Sequence, residues 1–217
     1  MSFDYQFIGD ELFQLLSDWV LEKTSQQKVI ATDLARLYAI RNKLNEGYEC
    51  VIWLDADFYI FAPENFLLPE TQYAVGRELW IQQDSRGRLK TYRKVHNAFL
   101  LFRENNPFLD FYCNTAEKLL QQNTGQMPPQ FIGPKLLTAL HNICHLPVME
   151  TAGMLSPLVL QDIKNGSGKA LDRFIAQSTV PIAAANLCSS LTEAHQLHRA
   201  EIFQIMDTLD QKSMQVL

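Results

Sequence analysis

The chain has no paired cysteines, no membrane-length apolar run, no internal repeat and no excess of basic charge, and each absence removes a class of protein. Its four cysteines, Cys50, Cys113, Cys144 and Cys188, are widely scattered and include no CxxC pair. They read as small buried hydrophobes in a reducing compartment and not as a disulfide or zinc framework. No apolar stretch approaches the roughly 20 residues needed to cross a bilayer. Met1-Ser2-Phe3-Asp4 is not the start of a signal peptide. The expectation is a cytoplasmic protein with no transmembrane segment. A net charge of −5 argues against nucleic-acid binding, because such affinity comes mainly from phosphate neutralisation by Lys and Arg. With no low-complexity tract or linker, the 217 residues are expected to form one domain, 1–217, with a sizeable core. A hydrophobic content of 47% against 20% charged residues fits a globular fold and not a disordered chain.

What the chain does contain is concentrated in Cys50-Val51-Ile52-Trp53-Leu54-Asp55-Ala56-Asp57. A wholly apolar run bounded by turn signals predicts a strand buried on both faces of a mainly parallel sheet. Two carboxylates at its C-terminal end lie where open α/β sheets bind ligands. At i and i+2 they can converge on one hard cation, which prefers oxygen ligands. The plainer alternative is two solvated acids in a loop, against which stands the cost of unpaired acids beside an apolar strand.

The rest of the pattern surrounds that strand with helices. Phe3 to Ile8 reads as a short strand, and Asp10 opens a helix carrying Leu12, Leu15, Leu16, Trp19 and Val20. A second helix is expected from Thr32 or Asp33 to Gly47, a C′ glycine. Tyr73–Gly76 and Val95–Phe102 are candidate strands, and Asn106-Pro107 places a cap residue before proline at the first helical position. Gly133-Pro134 opens another helix. Short strands are expected at 145–149 and 180–187, with the Asn165-Gly166-Ser167-Gly168 turn between them, and a long helix over 192–210. This is an α/β pattern.

Several side chains carry competing readings. Asp33 and Arg36 share a helix face and form either a local surface pair or part of a site. Arg86, Arg88, Lys90, Arg93 and Lys94 form a basic run that can meet phosphates or a charged acceptor, with a solvated hairpin as the bland reading. Trp53 reads as core. Trp80 can stack on a sugar or base, with packing the preferred reading. His195 and His198 read as a polar helix face, and His141 and His145 as structural.

The run from Ala31 to Phe66, with Thr32-Asp33-Leu34, Arg36 and the Asp55/Asp57 pair, resembles the core of GT-A-type glycosyltransferases. It is similar to the DxD mannosyl- and galactosyltransferases related to glucosylating toxins. His96-Asn97-Ala98-Phe99 and Gly133-Pro134 extend the likeness to about residues 3–140. The resemblance implies a GT-A-like, mostly parallel mixed sheet flanked by helices and lacking the usual first strand. It implies transfer of a sugar from a nucleotide-sugar donor to a glycan or lipid-linked acceptor, with retention, assisted by Mn²⁺ or Mg²⁺. In that reading Asp55, Asp57 and Arg36 are catalytic, Asp33, Arg36, Asp55 and Asn97 hold the donor, and Asp57, Asp55 and Asn186 ligate the metal, with Ser189 and Ser190 behind. Two alternatives stand beside it: a phosphohydrolase of the haloacid dehalogenase type, which also places DxD after an apolar strand, and a non-catalytic glycosyltransferase-like binding module.

Overall fold

The computed structural model describes residues 3–188 and 198–216, and within them the chain is α/β with two mixed sheets and flanking helices. Among the described residues, no helix is long and apolar enough to cross a membrane. Phe3 to Gly9 has no regular structure, contrary to the expected strand: Phe3, Tyr5 and Phe7 are exposed and no neighbouring strand takes up their backbone. The expected first helix is split into a 3-10 turn at Asp10–Leu15 and α1 at Asp18–Lys23, with Leu12, Leu16 and Val20 buried on the same cluster.

Helix α2 spans Lys28–Asn45, so it begins before Thr32, whose hydroxyl back-bonds to the Lys28 carbonyl instead of capping. It ends as expected at Gly47, which adopts φ +102°. The Gly47 N–H donates to the Leu44 carbonyl and the Tyr48 N–H to the Lys43 carbonyl, closing the last turn in a Schellman arrangement. Strand β1, Cys50–Leu54, then runs back along the helix.

β1 is not a central strand. It lies at the edge of a four-stranded sheet of order β1-β4-β3-β5, with β3 at Tyr73–Gln83, β4 at Leu89–Arg103 and β5 at Val148–Met149. Its residues are half-buried, and Leu54 is exposed. Val51 and Trp53 pack into the cluster under α2, while Cys50 and Ile52 pack on Phe99 and Leu101 on the other face. An unbroken apolar run therefore reports two covered faces and says nothing about the strand's outer edge. The second sheet, of order β2-β7-β6, is built from Phe58–Ile60, Ala184–Asn186 and Ala152–Met154.

The strands are less parallel than expected. Among the described residues, β1–β4, β3–β4 and β2–β7 pair antiparallel, and only β3–β5 and β6–β7 pair parallel. For one pair the cause is local. β3 and β4 are joined by a tight turn in which Asp84 Oδ1 accepts from the Arg86 and Arg88 N–H groups and Gly87 takes φ +72°. The Tyr73–Gly76 and Val95–Phe102 segments are thus the inner parts of one long hairpin.

Helix α3, Pro107–Gln122, starts as anticipated, with Asn106 Oδ1 accepting from the N–H groups of Phe108 and Leu109. α4 spans Pro134–Cys144. The Gly166 turn lies between the two late strand segments as expected, where it links α5 (Pro157–Asn165) to α6 (Lys169–Gln177). Gly166 ends α5 at φ +82°, and Asp162 Oδ2 accepts from the Ala170 and Leu171 N–H groups at the head of α6. The last helix, α7 (Arg199–Val216), buries Ile205 and Leu209 against α5 and β2, and Tyr59 donates to Asp210 at 2.6 Å.

Candidate functional site

α2 and β1 are antiparallel neighbours, and their pitches bring the predicted residues level. Counting back from the end of α2, Arg36 is nine residues away, about 14 Å at the helical rise. Asp55 is five residues beyond the start of β1, about 17 Å at the strand rise. Because α2 begins at Lys28, Asp33 and Arg36 lie well inside the helix and not at its end.

Arg36 is the centre of the cluster. Its Nη1 donates to Asp55 Oδ1 at 2.9 Å and to the Asn97 carbonyl at 2.8 Å, and its Nη2 lies 3.4 Å from Asp33 Oδ1. Nε donates to the Thr32 carbonyl at 3.4 Å. Asn97 Nδ2 closes the ring by donating to Asp33 Oδ1 at 2.7 Å. Four predicted residues, Asp33, Arg36, Asp55 and Asn97, are thereby in one hydrogen-bonded network. The competing reading of Asp33 and Arg36 as a surface pair is excluded, since both are almost fully buried. The same burial leaves Arg36 with less reach toward a bound phosphate than the resemblance implies: its guanidinium serves the protein's own oxygens.

Asn97 reaches this position through a distortion of β4. Val75 pairs with Leu100, yet the next residue, Gly76, pairs with His96, so residues 97–99 have no partner on β3. The surplus residues bow toward β1 and α2, where Ala98 O accepts from Asp55 N–H at 3.0 Å. His96 pins the bow. The Ala98 N–H donates to His96 Nδ1, so Nε2 carries the proton and donates to the Ala152 carbonyl at 3.2 Å. Gly76 makes room for the ring: a Cβ there would lie 2.1 Å from His96 Cε1. Burial drives the His96 pKa down from 6.5 to about 4, so the imidazole is neutral.

Asp33 is closed in similarly. A Cβ on Gly133 would lie 2.4 Å from Asp33 Oδ2, an oxygen that has no hydrogen-bond partner. Burial raises the Asp33 pKa, with Arg36 and Asn97 opposing and Asp55 reinforcing the shift. The Gly-Pro helix start therefore has a packing meaning that motif reading alone did not supply: α4 begins with its bare Cα against a buried carboxyl.

The pair at the strand end is the part that reaches solvent. The Asp55 side chain is 26% exposed, and its Oδ1 accepts from Trp53 Nε1 at 2.7 Å as well as from Arg36. Trp53 is thus more than core: two residues before Asp55 on the same face, it anchors the acid, a role its i, i+2 spacing could have disclosed. Asp57 Oδ1 accepts from Asn186 Nδ2 at 2.5 Å, and the Leu187 N–H donates to the Asp57 carbonyl. Asn186 Oδ1 in turn accepts from the Cys188 N–H at 2.8 Å, across a turn in which Cys188 takes φ +49°. Asn186 therefore comes to the site as predicted, but it presents its amide nitrogen to Asp57 and its oxygen to the backbone. It holds Asp57 and is not itself aimed at a cation. Burial pushes the Cys188 thiol pKa up, and Asp57, Glu78 and Asp55 add to the effect, which ties both acids to one locality. Ser189, Ser190 and His195 lie outside the described residues. His198 is exposed, with its N–H donating to Glu201.

Among the described residues, no group of three or more His, Cys, Asp or Glu side chains is arranged to hold a metal. A two-carboxylate site remains compatible with a hard cation whose other ligands come from substrate phosphate and water. No family model, curated protein or solved structure matches this chain.

Proposed function

We propose that the chain is a metal-dependent glycosyltransferase that moves a sugar from a nucleotide-sugar donor to a glycan or lipid-linked acceptor with retention. The observation that carries the reading is the Arg36 network, which joins Asp33, Asn97 and Asp55 into a rigid wall behind a solvent-reaching acid pair. Asp55 and Asp57 would hold Mn²⁺ or Mg²⁺, each acid being oriented through its Oδ1. When bound, the ion supplies positive charge for a departing diphosphate.

The chain's own residues do the positioning. Arg36 and Trp53 fix one oxygen of Asp55, and Asn186 fixes one of Asp57. Asp33, the buried acid of the wall, is shut behind Gly133 and unsuited to attack an anomeric carbon. Front-face displacement assisted by the leaving phosphate is then the route to retention. The same double clamp on Asp55 speaks against a haloacid dehalogenase mechanism, in which one of the paired acids attacks phosphorus.

A non-catalytic binding module is the second reading, favoured by the burial of Asp33, Arg36, Asn97 and Asn186. Incubation with nucleotide-sugars and Mn²⁺ separates the readings. Release of nucleoside diphosphate that stops on Asp57→Asn supports transfer. Mn²⁺-dependent binding without turnover supports the module. Phosphate release from simple esters contradicts both.

A further inference from the structure

The β3–β4 hairpin is the electrostatic exception in the molecule. From residue 78 to 94 it carries Arg86, Arg88, Lys90, Arg93 and Lys94 against only Glu78 and Asp84, in a chain whose net charge is −5. Side chains alternate across the hairpin. On one face, Leu79 and Ile81 enter the core, Arg77 pairs with Glu150, and Arg93 bonds the Gln177 carbonyl. The other face packs much less. There Trp80 lies directly opposite Tyr92, Glu78 opposite Lys94, and Gln82 opposite Lys90. Tyr92 is 39% exposed, and the Lys90 and Lys94 side chains are 51% and 38% exposed. The two opposed aromatic residues lie between two lysines, Lys94 with Nζ 5.7 Å from the Tyr92 ring centroid and Lys90 with Nζ 3.8 Å from Asp84, and together they form an aromatic surface with a cationic rim.

Next to the aromatic pair on the same face is an unexplained acid. The Glu78 side chain is 95% buried, given its 5% exposure, and its Oε2 has no hydrogen-bond partner. Its other oxygen lies 3.4 Å from Lys94 Nζ. Along β4, Asn97 of the site lies three residues beyond Lys94 and five beyond Tyr92, about 10 to 17 Å.

We propose that this hairpin face binds the acceptor and that the acceptor is an anionic oligosaccharide. Sugar rings lie on Trp80 and Tyr92, the carboxylate or other anionic substituent meets Lys90 and Lys94, and a hydroxyl satisfies Glu78 Oε2 as Lys94 turns outward. Aromatic faces suit the apolar side of a pyranose, and the local positive charge within an acidic chain selects for negative charge. The inference rests on the glycosyltransferase reading, but its test does not, because acceptor binding is measured without donor or metal.

The test is calorimetric titration of the full chain with a tetrasaccharide of uronic acids and with a neutral tetrasaccharide of equal length. The acidic probe is expected to bind at least about tenfold more tightly. Trp80→Ala, at a half-buried position whose indole N–H donates to Gln82, is expected to weaken it about tenfold or more. Lys90→Gln, whose neighbour Asp84 keeps Arg88 and which leaves the Glu78–Lys94 pair in place, should cut the preference severalfold while the thermal melt holds. Equal affinity for both probes overturns the proposal. So does unchanged binding in folded Trp80→Ala, competition by free uronic acid monomer as effective as by the oligomer, or binding only to anionic vesicles. If the acidic probe binds as expected but no nucleotide-sugar is ever turned over, the acceptor face stands and the transferase reading fails.

Discussion

The back wall of the site and its mouth are built from the same residue types on opposite principles. In the wall, Asp33, Arg36 and Asn97 are buried and bonded to one another and His96 is buried against backbone groups, so their charges and dipoles serve the fold. At the mouth, Oδ1 of Asp55 accepts from Arg36 and Trp53 and Oδ1 of Asp57 from Asn186, and both acids are only partly buried. An acid's sequence neighbourhood does not distinguish the two situations; the depth of the element that carries it does. Perturbing the wall should therefore show up mainly in stability, and perturbing the mouth mainly in ligand binding.

Arg36→Ala is the largest expected break in that contrast. It leaves Asp33 without its counter-charge and Asp55 without one clamp, and removing one partner of a buried ion pair costs about 3–5 kcal/mol. Chemical denaturation should show a loss of that order, with Arg36→Lys intermediate because an ammonium cannot reproduce the forked contacts. A loss below about 1 kcal/mol would place the wall's rigidity elsewhere.

Acid tests the same wall through His96. Its folded pKa is depressed from 6.5 to about 4, so between those values the unfolded chain binds more protons than the folded one. The contribution is therefore fully present above pH 6.5 and declines as pH falls toward 4. The drop is on the order of 3 kcal/mol. Urea midpoints measured across that range should fall with pH, and the slope should flatten in His96→Asn. A slope identical in both proteins would remove His96 from the account.

Smaller still is Gly133→Ala. The new methyl would drive into the Asp33 carboxylate, and overpacking costs about 1–3 kcal/mol. Gly125→Ala, where a Cβ meets nothing within 4 Å, is the matched control and should change stability by under about 0.5 kcal/mol. Equal melting temperatures for the two would mean that the contact with Asp33 yields freely.

The readable parts of this chain were those written locally. The Asn106-Pro107 cap, the Gly47 stop and the apolar run before Asp55 each obey a nearest-neighbour rule, and each is present. The convergence of Asp33, Arg36, Asp55 and Asn97 was legible only through the family likeness, because helix α2 and the bowed β4 must first be placed side by side. Three features were out of reach. The hairpin over the basic run was among the readings of the sequence, but the antiparallel pairing of β1 with β4 and of β2 with β7 joins segments distant in the chain and leaves no local signal. The edge position of β1 leaves no mark in its composition, since both of its faces are covered. The reversal of Asn186, oxygen to backbone and nitrogen to Asp57, depends on the left-handed turn at Cys188, which no residue preference announces.

Asp57→Asn tests the centre of the account most directly, because asparagine keeps an oxygen for the Asn186 amide while losing the charge a cation needs. Thermal melts of both proteins with Mn²⁺ and a nucleoside diphosphate should show a ligand-dependent rise in the parent chain, about 2.7 kcal/mol at a hundredfold excess over Kd. The variant should melt within a few degrees of the parent without ligand and show no such rise. A rise of equal size in Asp57→Asn, or none in the parent chain with any nucleotide, would contradict an ion held between Asp55 and Asp57.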